Sequence, residues 1–339
     1  MKKIAINGFG RIGRLFFRQA FGHKDIEVVA VNDLGDINNL AYLLKYDTVY
    51  GRFDEEIKSE EDNLVVAGKK IKVYQIKDPT QLPWKELNID VVVEATGMFT
   101  KYETAKLHLK AGAKRVVITA PAKDPDGSEG RTVLVGVNED NFKEVVLTSN
   151  GSCTTNAASP VISIMSENPG ILKAVLSTVH GYTATQSIVD SPARHGKDFR
   201  KSRAGAQNII PSTTGAAIAV GRALPDMQGK FDGISLRVPV VVGSIADITF
   251  IAKRNTSVEE INDIFRAAAA SPRWQGILDV ASDPIVSSDI VGQPHGAIVD
   301  LAFTKVVDGN LVKVLSWYDN EAGYVSTLIR HVVTSARTI

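Results

Sequence analysis

The sequence predicts an α/β half built on a parallel sheet, followed by an α+β half with a mostly antiparallel sheet. Three observations carry that expectation. The first 150 residues alternate short apolar runs with stretches of helical spacing, the pattern of βαβ units with helices on both sheet faces. After Cys153 the strand-like runs lengthen and the alternation fades. A length of 339 residues exceeds one ordinary core, so two units of roughly 150–170 residues are expected.

The elements follow in order. Ile4-Ala5-Ile6 is a short apolar strand that leads into a glycine-rich turn. Residues 11–21 have helical spacing, with Ile12, Leu15, Phe16 and Ala20 as the apolar stripe. Residues 28–31 form a second strand that ends at Asn32-Asp33. Residues 91–94 and 116–119 are two more strands, with a helix over 101–111 between them. Beyond Cys153, strands are expected over 173–180, 234–242, 246–252, 298–305 and 311–318, several of them antiparallel. Helices are expected over 157–166, 215–224 and 258–270, packed on one face of that sheet. Val325, Leu328, Ile329, Val332 and Val333 line one side of a terminal helix within 323–337, which should dock rather than trail.

Composition narrows the function classes. With 39 basic and 38 acidic side chains the net charge is +1, which gives no sign of a nucleic-acid or membrane surface. A single cysteine cannot form an internal disulfide, so a reducing, cytoplasmic setting fits. No apolar run approaches the length of a bilayer span. The basic Met1-Lys2-Lys3 is followed by an apolar stretch broken by Asn7, Arg11 and Arg14, unlike a signal peptide.

Gly8-Phe9-Gly10-Arg11-Ile12-Gly13 fits G-x-G-x-x-G, a weak signal alone. Its context strengthens it: a strand before, a helix after, and Asp33 at the end of the next strand. Gly8 permits the turn, Gly10 lets backbone approach a pyrophosphate, and Gly13 lets helix and strand pack closely. The helix start then meets the phosphates. Asp33 would accept hydrogen bonds from the adenosine ribose and repel a 2′-phosphate, which favours NAD over NADP. No G-x-x-x-x-G-K-[ST] run is present, so nicotinamide chemistry outranks nucleotide hydrolysis.

Cys153 lies in Ser149-Asn150-Gly151-Ser152-Cys153-Thr154-Thr155-Asn156. A thiol near the first turn of a helix has its thiolate favoured by orphan N–H groups and the dipole. The segment alone leaves a reactive thiol and a buried structural cysteine equally open. His180 stands at a strand exit in Thr178-Val179-His180-Gly181 and could take the thiol proton, although a lone histidine is more often a surface or core residue. His295, in Pro294-His295-Gly296, is a loop alternative. Ser212-Thr213-Thr214-Gly215 precedes a helix and reads as an anion cradle or a plain cap. Arg237, between apolar residues of a strand, implies a phosphate or carboxylate partner. The basic run 197–203 is a solvated loop by itself, or one wall of a phosphate pocket if it joins Thr214 and Arg237.

These pieces together resemble the phosphorylating glyceraldehyde-3-phosphate dehydrogenases of bacterial type, nearly end to end. The resemblance rests on the glycine fingerprint with Asn7 and Arg14, Asn32-Asp33, Leu44-Lys45-Tyr46-Asp47 and Glu94-Ala95-Thr96-Gly97. It continues through Ser152-Cys153-Thr154-Thr155-Asn156, Thr178-Val179-His180, Asn208-Ile209-Ile210-Pro211 and Thr214-Gly215-Ala216-Ala217. Arg237-Val238-Pro239 and Ser316-Trp317-Tyr318-Asp319-Asn320-Glu321 complete it.

The resemblance implies a Rossmann-type NAD-binding domain over 1–151, completed by a terminal helix at 320–339, and a catalytic domain over 152–319. It implies Cys153 as nucleophile and His180 as base. It implies cofactor contacts at Gly8, Gly10, Arg11, Ile12, Gly13, Asp33, Lys77, Thr119 and Asn320, the last orienting the nicotinamide amide. Substrate and inorganic phosphate would meet Ser152, Thr154, Thr183, Lys201, Thr214, Gly215 and Arg237. No metal is implied. The reaction would convert D-glyceraldehyde 3-phosphate, NAD+ and phosphate to 1,3-bisphosphoglycerate through a cysteine thioester, in glycolysis or gluconeogenesis. The usual assembly is a homotetramer in which residues 181–207 reach toward a neighbour's cofactor.

Several positions depart from the family's pattern. The loop 191–196 looks longer than most, and Ser191-Pro192 lacks the bulky apolar residue that usually accompanies NAD preference. Lys201 stands where many members carry arginine, which keeps the charge and loses the bidentate fork. Ala322 replaces a usual tryptophan, and Gly151 and Ala157 replace alanine and cysteine beside the nucleophile. Other readings are a four-carbon aldose phosphate dehydrogenase, a thiol redox sensor, an RNA-binding role and a catalytically dead paralogue. The missing resolving cysteine, the neutral charge and the intact Cys153, His180, Arg237 and Asn320 weigh against the last three.

Overall fold

Ile4, Ala5 and Ile6 expose no surface, which a strand achieves only inside a sheet covered on both faces. They belong to β1 (Lys2–Asn7), the middle strand of a nine-stranded sheet. The structure, a computed structural model, describes residues 1–192 and 198–339. The chain divides into two compact units, Met1–Gly151 with Leu328–Ile339, and Ser152–Thr327.

In the first unit β1 is followed by α1 (Arg11–Ala20), β2 (Ile26–Asn32) and α2 (Ile37–Lys45). A small ribbon, β3 (Tyr46–Asp47) with β4 (Gly51–Arg52), precedes β5 (Ile57–Glu60), β6 (Asn63–Val66) and β7 (Lys69–Tyr74). Then come β8 (Val91–Glu94), α3 (Tyr102–Ala105), α4 (Leu107–Lys110), β9 (Arg115–Ile118), β10 (Arg131–Thr132) and β11 (Leu147–Ser149). The large sheet runs β10-β11-β9-β8-β1-β2-β7-β6-β5 and is parallel as far as β7. Its edge β7-β6-β5 is antiparallel, a meander with no counterpart in the sequence expectation. These edge strands are only half-buried, so their apolar residues are diluted by Lys69, Lys70 and Lys72. The helix expected over 101–111 is two single turns, α3 and α4. It breaks at Lys106, whose φ/ψ of −57°/−19° is that of a tighter 3₁₀ turn.

The second unit opens with α5 (Cys153–Glu167), which starts four residues before its apolar run does. β12 (Ile171–Gly181), β13 (Ile210–Thr213), α6 (Ala216–Ala223), β14 (Phe231–Val238) and β15 (Ser244–Ala252) follow. α7 (Val258–Ala269), β16 (Leu278–Ala281), β17 (Ala297–Val307), β18 (Leu311–Tyr318) and α8 (Ala322–Ala336) end the chain. The sheet runs β13-β14-β12-β15-β18-β17-β16, antiparallel except where β12 meets β14 and β16 meets β17. β14 stops at Val238 rather than 242, because Pro239 has no N–H for the ladder.

Alternation along β12 positions the chemistry. Ala174, Leu176, Thr178 and His180 are buried, while Val175 and Val179 are 60% and 36% exposed. α5 packs against β12, β15, β17 and β18, so it covers one face of the sheet.

α8 carries His331, fully buried in the first unit. Its ring lies 2.7 Å from Thr148 Oγ1 and 3.1 Å from Asn150 Oδ1, edge-on to Phe142. Burial pushes it down to about 3 from an ordinary 6.5. The unfolded ring binds a proton near 6.5 and the folded ring does not until about 3. Stability is therefore intact above pH 6.5 and falls as pH drops through that window. At about pH 5 the loss from this one group should be about 2 kcal/mol. Urea midpoints should fall between pH 7.5 and pH 5, and His331→Asn should flatten that fall. An unchanged slope in the variant would contradict the assignment.

Candidate active site

Ser152 sets where α5 begins. Its Oγ accepts the Thr155 N–H at 3.1 Å, and Thr155 Oγ1 accepts the Ser152 N–H at 3.1 Å. This capping box makes Cys153 the first residue of the helix. Cys153 Sγ then lies 3.3 Å from His180 Nε2. The other ring nitrogen, Nδ1, is 2.6 Å from the Gly181 carbonyl oxygen and 2.7 Å from Arg237 Nη1. Arg237 is the register partner of His180 in the parallel pair of β14 and β12, which puts both side chains on the same face. Tyr318 closes the group: its ring meets His180 edge-on, and its hydroxyl lies 2.9 Å from Thr154 Oγ1 and 2.7 Å from Thr178 Oγ1.

The electrostatics depart from the expectation of a thiolate favoured by the helix start. Burial pushes the Cys153 thiol up, and Arg237 with the N–H groups of Thr154 and Cys153 pulls it back only in part. The polar run around Cys153 is buried: Ser149, Asn150 and Thr155 expose nothing, with Ser149 bonded to backbone, Thr155 to Ser152 and Asn150 Oδ1 to the His331 ring. Burial, aided by Arg237, also pushes His180 down to about 3. Burial disfavours an isolated charge on either partner. Proton transfer between them creates two charges together and needs no solvent base.

The geometry brings Cys153, His180 and Arg237 into direct contact, and the remaining expected residues sit in local turns. Thr183 Oγ1 is 2.9 Å from Thr185 Oγ1, and its N–H donates to Gln186. Lys201 is half-buried in a 3₁₀ turn, Phe199–Ser202. Thr214 Oγ1 accepts the Ala216 N–H, and Gly215 caps α6 without a side-chain bond. Asn320 Oδ1 accepts from the Gly243 N–H and the Ser244 hydroxyl. Ala322 is buried, its N–H held by Asp319. His295 Nδ1 stands 3.8 Å from an Asp279 carboxylate oxygen. The loop 191–196 and the basic run 197–203 fall in part on residues 193–197, which lie outside the described residues.

The first unit carries the glycine turn. Gly8 has φ +93°, and a Cβ there would sit 2.6 Å from the Thr96 nitrogen. A Cβ on Gly13 would sit 2.1 Å from the Gly8 carbonyl oxygen. Gly10 has no such neighbour within 4 Å, caps α1 without a side-chain acceptor, and is followed by a first turn free of acidic residues. This is an open cradle of N–H groups that fits a pyrophosphate. Asp33 accepts N–H bonds from Phe9 and Gly35, one on each oxygen, which leaves lone pairs on both. Arg11 is drawn to Asp47 and lies over the Tyr50 ring, and Ile12 is half-buried. The Thr119 hydroxyl donates to the Glu94 carbonyl, and Lys77 is exposed beyond β7.

A buried chain under this cradle escaped the sequence reading. Trp84 Nε1 donates to His108 Nδ1, so the ring's Nε2 faces Glu94 Oε2, 3.0 Å away, as donor. Asn7 donates to Glu94, Asn32 donates to Asn7, and Glu94 also holds the N–H of Thr96. The chain ties together the ends of β1, β2 and β8, where Gly8, Asp33 and Thr96 lie. His108 sits on a helical turn with no local motif, so nothing in the sequence marked it.

Among the described residues no group of three or more His, Cys, Asp or Glu side chains is placed to hold a metal ion. No helix among them is long and apolar enough to cross a membrane.

Comparison with known proteins decides the family. Residues 2–102 match the family described as glyceraldehyde 3-phosphate dehydrogenase, NAD binding domain, and residues 152–320 match its C-terminal domain. The chain belongs to the glyceraldehyde 3-phosphate dehydrogenase family. Glyceraldehyde-3-phosphate dehydrogenase 2 of Streptomyces avermitilis is 49% identical over 331 residues, 96% of each chain. The Bacillus subtilis protein of the same name is 47% identical over 335 residues, 97% of this chain and 96% of that one. Glyceraldehyde-3-phosphate dehydrogenase of Geobacillus stearothermophilus is 48% identical over 324 residues, 95% of this chain and 94% of that one.

The two glycines of the turn should therefore separate by experiment. Gly13→Ala meets backbone and should lower stability by roughly 1–3 kcal/mol in urea unfolding. Gly10→Ala, with open space around it, should change stability by less than about 0.5 kcal/mol. It should nonetheless weaken NAD binding by roughly tenfold or more in titration calorimetry. Equal NAD affinity in wild type and Gly10→Ala would remove the pyrophosphate from this turn.

Proposed function

We propose that this chain oxidises D-glyceraldehyde 3-phosphate with NAD+ and inorganic phosphate to 1,3-bisphosphoglycerate, through a thioester on Cys153. The observation that carries the reading is the 3.3 Å approach of Cys153 Sγ to His180 Nε2, with Arg237 on the same ring. The thiol proton passes to Nε2 as sulfur attacks the aldehyde carbon, which forms a C–S bond and an alkoxide. The backbone N–H of Cys153 and the imidazolium support that oxyanion, which takes the Nε2 proton to become a hemithioacetal and leaves the ring neutral. His180 next removes the hydroxyl proton, which drives the carbon's hydrogen out with its electron pair. Bound NAD+ supplies the acceptor for that hydride.

The product is a thioester, which preserves the energy of oxidation in a reactive acyl group. A phosphate oxygen then attacks the acyl carbon, the C–S bond breaks, and the thiolate leaves. Arg237, Thr183, Thr214, Gly215, Ser152, Thr154 and Lys201 are the proposed holders of the two phosphate groups. Gly8, Gly10, Arg11, Ile12, Gly13, Asp33, Lys77 and Thr119 are the proposed cofactor contacts, with Asn320 assigned to the nicotinamide amide. The lone pairs that remain on the Asp33 carboxylate, and its charge, favour NAD. The lone, unbridged cysteine supports a cytoplasmic setting.

A homotetramer is part of the same reading. The face of the second sheet away from α5 carries Val175, Val179 and Ile234, with Ile234 52% exposed. Asp247 and Lys313 pair across that face. Apolar residues so grouped on an open sheet favour a cover, and a second copy presents the same surface.

Outcomes are expected for both the reaction and the assembly. Cys153→Ala should abolish NAD reduction with glyceraldehyde 3-phosphate and phosphate. His180→Asn should slow it by roughly 10²–10⁴-fold. NADP should reduce more slowly than NAD in a parallel assay. Full turnover by the alanine variant would end the covalent reading. Light scattering should give the mass of four chains, and Val175→Lys should give a smaller species. A monomeric wild type would refute the assembly.

A further inference from the structure

Ser244 is a hydroxyl at the head of an apolar row. β15 turns Ala246, Ile248, Phe250 and Ala252 to its buried side, and Ser244 begins that row with 1% of its surface exposed. A methyl group fills the next place in the row, at Ala246, but the Ser244 hydroxyl makes two bonds. Its lone pair accepts the Gly181 N–H at 3.1 Å, and its proton goes to Asn320 Oδ1 at 2.9 Å. The ladder of β12 with β15 ends at Val179 and Ile245, so the Gly181 N–H lies beyond it and needs another acceptor. A second donor, the Gly243 N–H, reaches Asn320 Oδ1 at 3.2 Å. A backbone N–H can only donate, so the Asn320 amide must turn its oxygen to this side. Gly243 sits in a crowded turn, with φ +99° and a Ser287 carbonyl oxygen 2.4 Å from where a Cβ would be. Asn320 Nδ2 has no hydrogen-bond partner among the described residues.

We propose that Ser244 is a positioning residue for hydride transfer, acting through Asn320. Its hydroxyl holds the Asn320 amide with Nδ2 as the one group left to meet the nicotinamide. Asn320 therefore donates to the carboxamide oxygen, and the carboxamide nitrogen gains nothing from it. The other bond of the same hydroxyl anchors Gly181, which follows His180 at the end of β12. One buried oxygen thus serves as a common reference for the side chain that orients the nicotinamide and for the strand end that carries the base. Without it Asn320 keeps only the Gly243 donor, its amide is free to turn, and the Gly181 N–H is left unpaired. The inference rests on the proposed function, in which Asn320 meets the nicotinamide amide, and adds the residue that orients Asn320.

A hydroxyl that only satisfies the Gly181 N–H predicts a loss of stability with no change in cofactor binding. The deciding measurement is titration calorimetry of the full chain with NAD and with ADP-ribose, which lacks the nicotinamide. Ser244→Ala should bind ADP-ribose within about twofold of wild type, and NAD roughly 3- to 10-fold more weakly. Ser244→Thr keeps the hydroxyl and should bring NAD affinity back to within about twofold of wild type. Rapid mixing of NAD-loaded enzyme with glyceraldehyde 3-phosphate, without phosphate, reads the first hydride transfer as a burst of reduced cofactor. Its rate should fall by roughly tenfold or more in Ser244→Ala and recover in Ser244→Thr. A loss of folded enzyme would shrink the burst and leave its rate unchanged. Should Ser244→Ala fail to fold, wild-type binding of the acetylpyridine analogue of NAD decides. That analogue keeps the carbonyl oxygen and replaces the amide nitrogen by methyl, so it should bind within about threefold of NAD.

An unchanged ratio of NAD to ADP-ribose affinity in Ser244→Ala overturns the inference, and so does a burst of unchanged rate or a weaker grip on the acetylpyridine analogue. Wild-type turnover with glyceraldehyde 3-phosphate, NAD and phosphate separates this failure from that of the proposed function. Active wild type with an unchanged ratio ends the role of Ser244 and leaves the proposed function standing. Inactive wild type ends both.

Discussion

Parallel pairing of β12 with β14 is the constraint on which the Cys153, His180 and Arg237 cluster depends. It sets His180 opposite Arg237, and the alternation of β12 turns His180 to the face that α5 covers. The capping box at Ser152 then fixes Cys153 at the first position of that helix. A slip of one residue in β12 would turn His180 to the other face, and no local adjustment at Cys153 could recover the contact. Burial raises the cost of an isolated charge on the thiol or on the imidazole. In the proposed reaction the two charges appear only together and a few ångströms apart, where they offset one another's desolvation.

The first unit solves a different problem by the same means. A pyrophosphate needs backbone N–H groups within reach, so side chains must be absent where it sits and tightly excluded where the turn folds. Gly10 is the open position, and Gly8 and Gly13 are the crowded ones. Loops alone would hold such a turn loosely. Here the Trp84-His108-Glu94-Asn7-Asn32 chain anchors it from below, where water does not compete.

Much of this was legible in the sequence. Ile4-Ala5-Ile6 and Val91-Val92-Val93 read as buried parallel strands because every residue in them is apolar. Cys153, His180 and Arg237 stood out because each was the wrong residue type for its surroundings. The edge meander from Ile57 to Tyr74 was not legible: half-exposed strands tolerate lysines, and the alternating signal drowns. The direction of the thiol's shift was also missed. The local run is polar, yet it is buried, with Ser149 bonded to backbone and Asn150 to His331, a property of the packing. His108 was invisible for the same reason: its three partners lie on distant segments.

The thioester is the species on which the proposed chemistry turns, and it can be seen directly. Enzyme mixed with glyceraldehyde 3-phosphate and NAD+ without phosphate, acid-quenched and digested, should carry an acyl group on the peptide containing Cys153. A brief chase with inorganic phosphate before the quench should remove it. An acyl group on another residue, or one that phosphate does not discharge, would contradict the account.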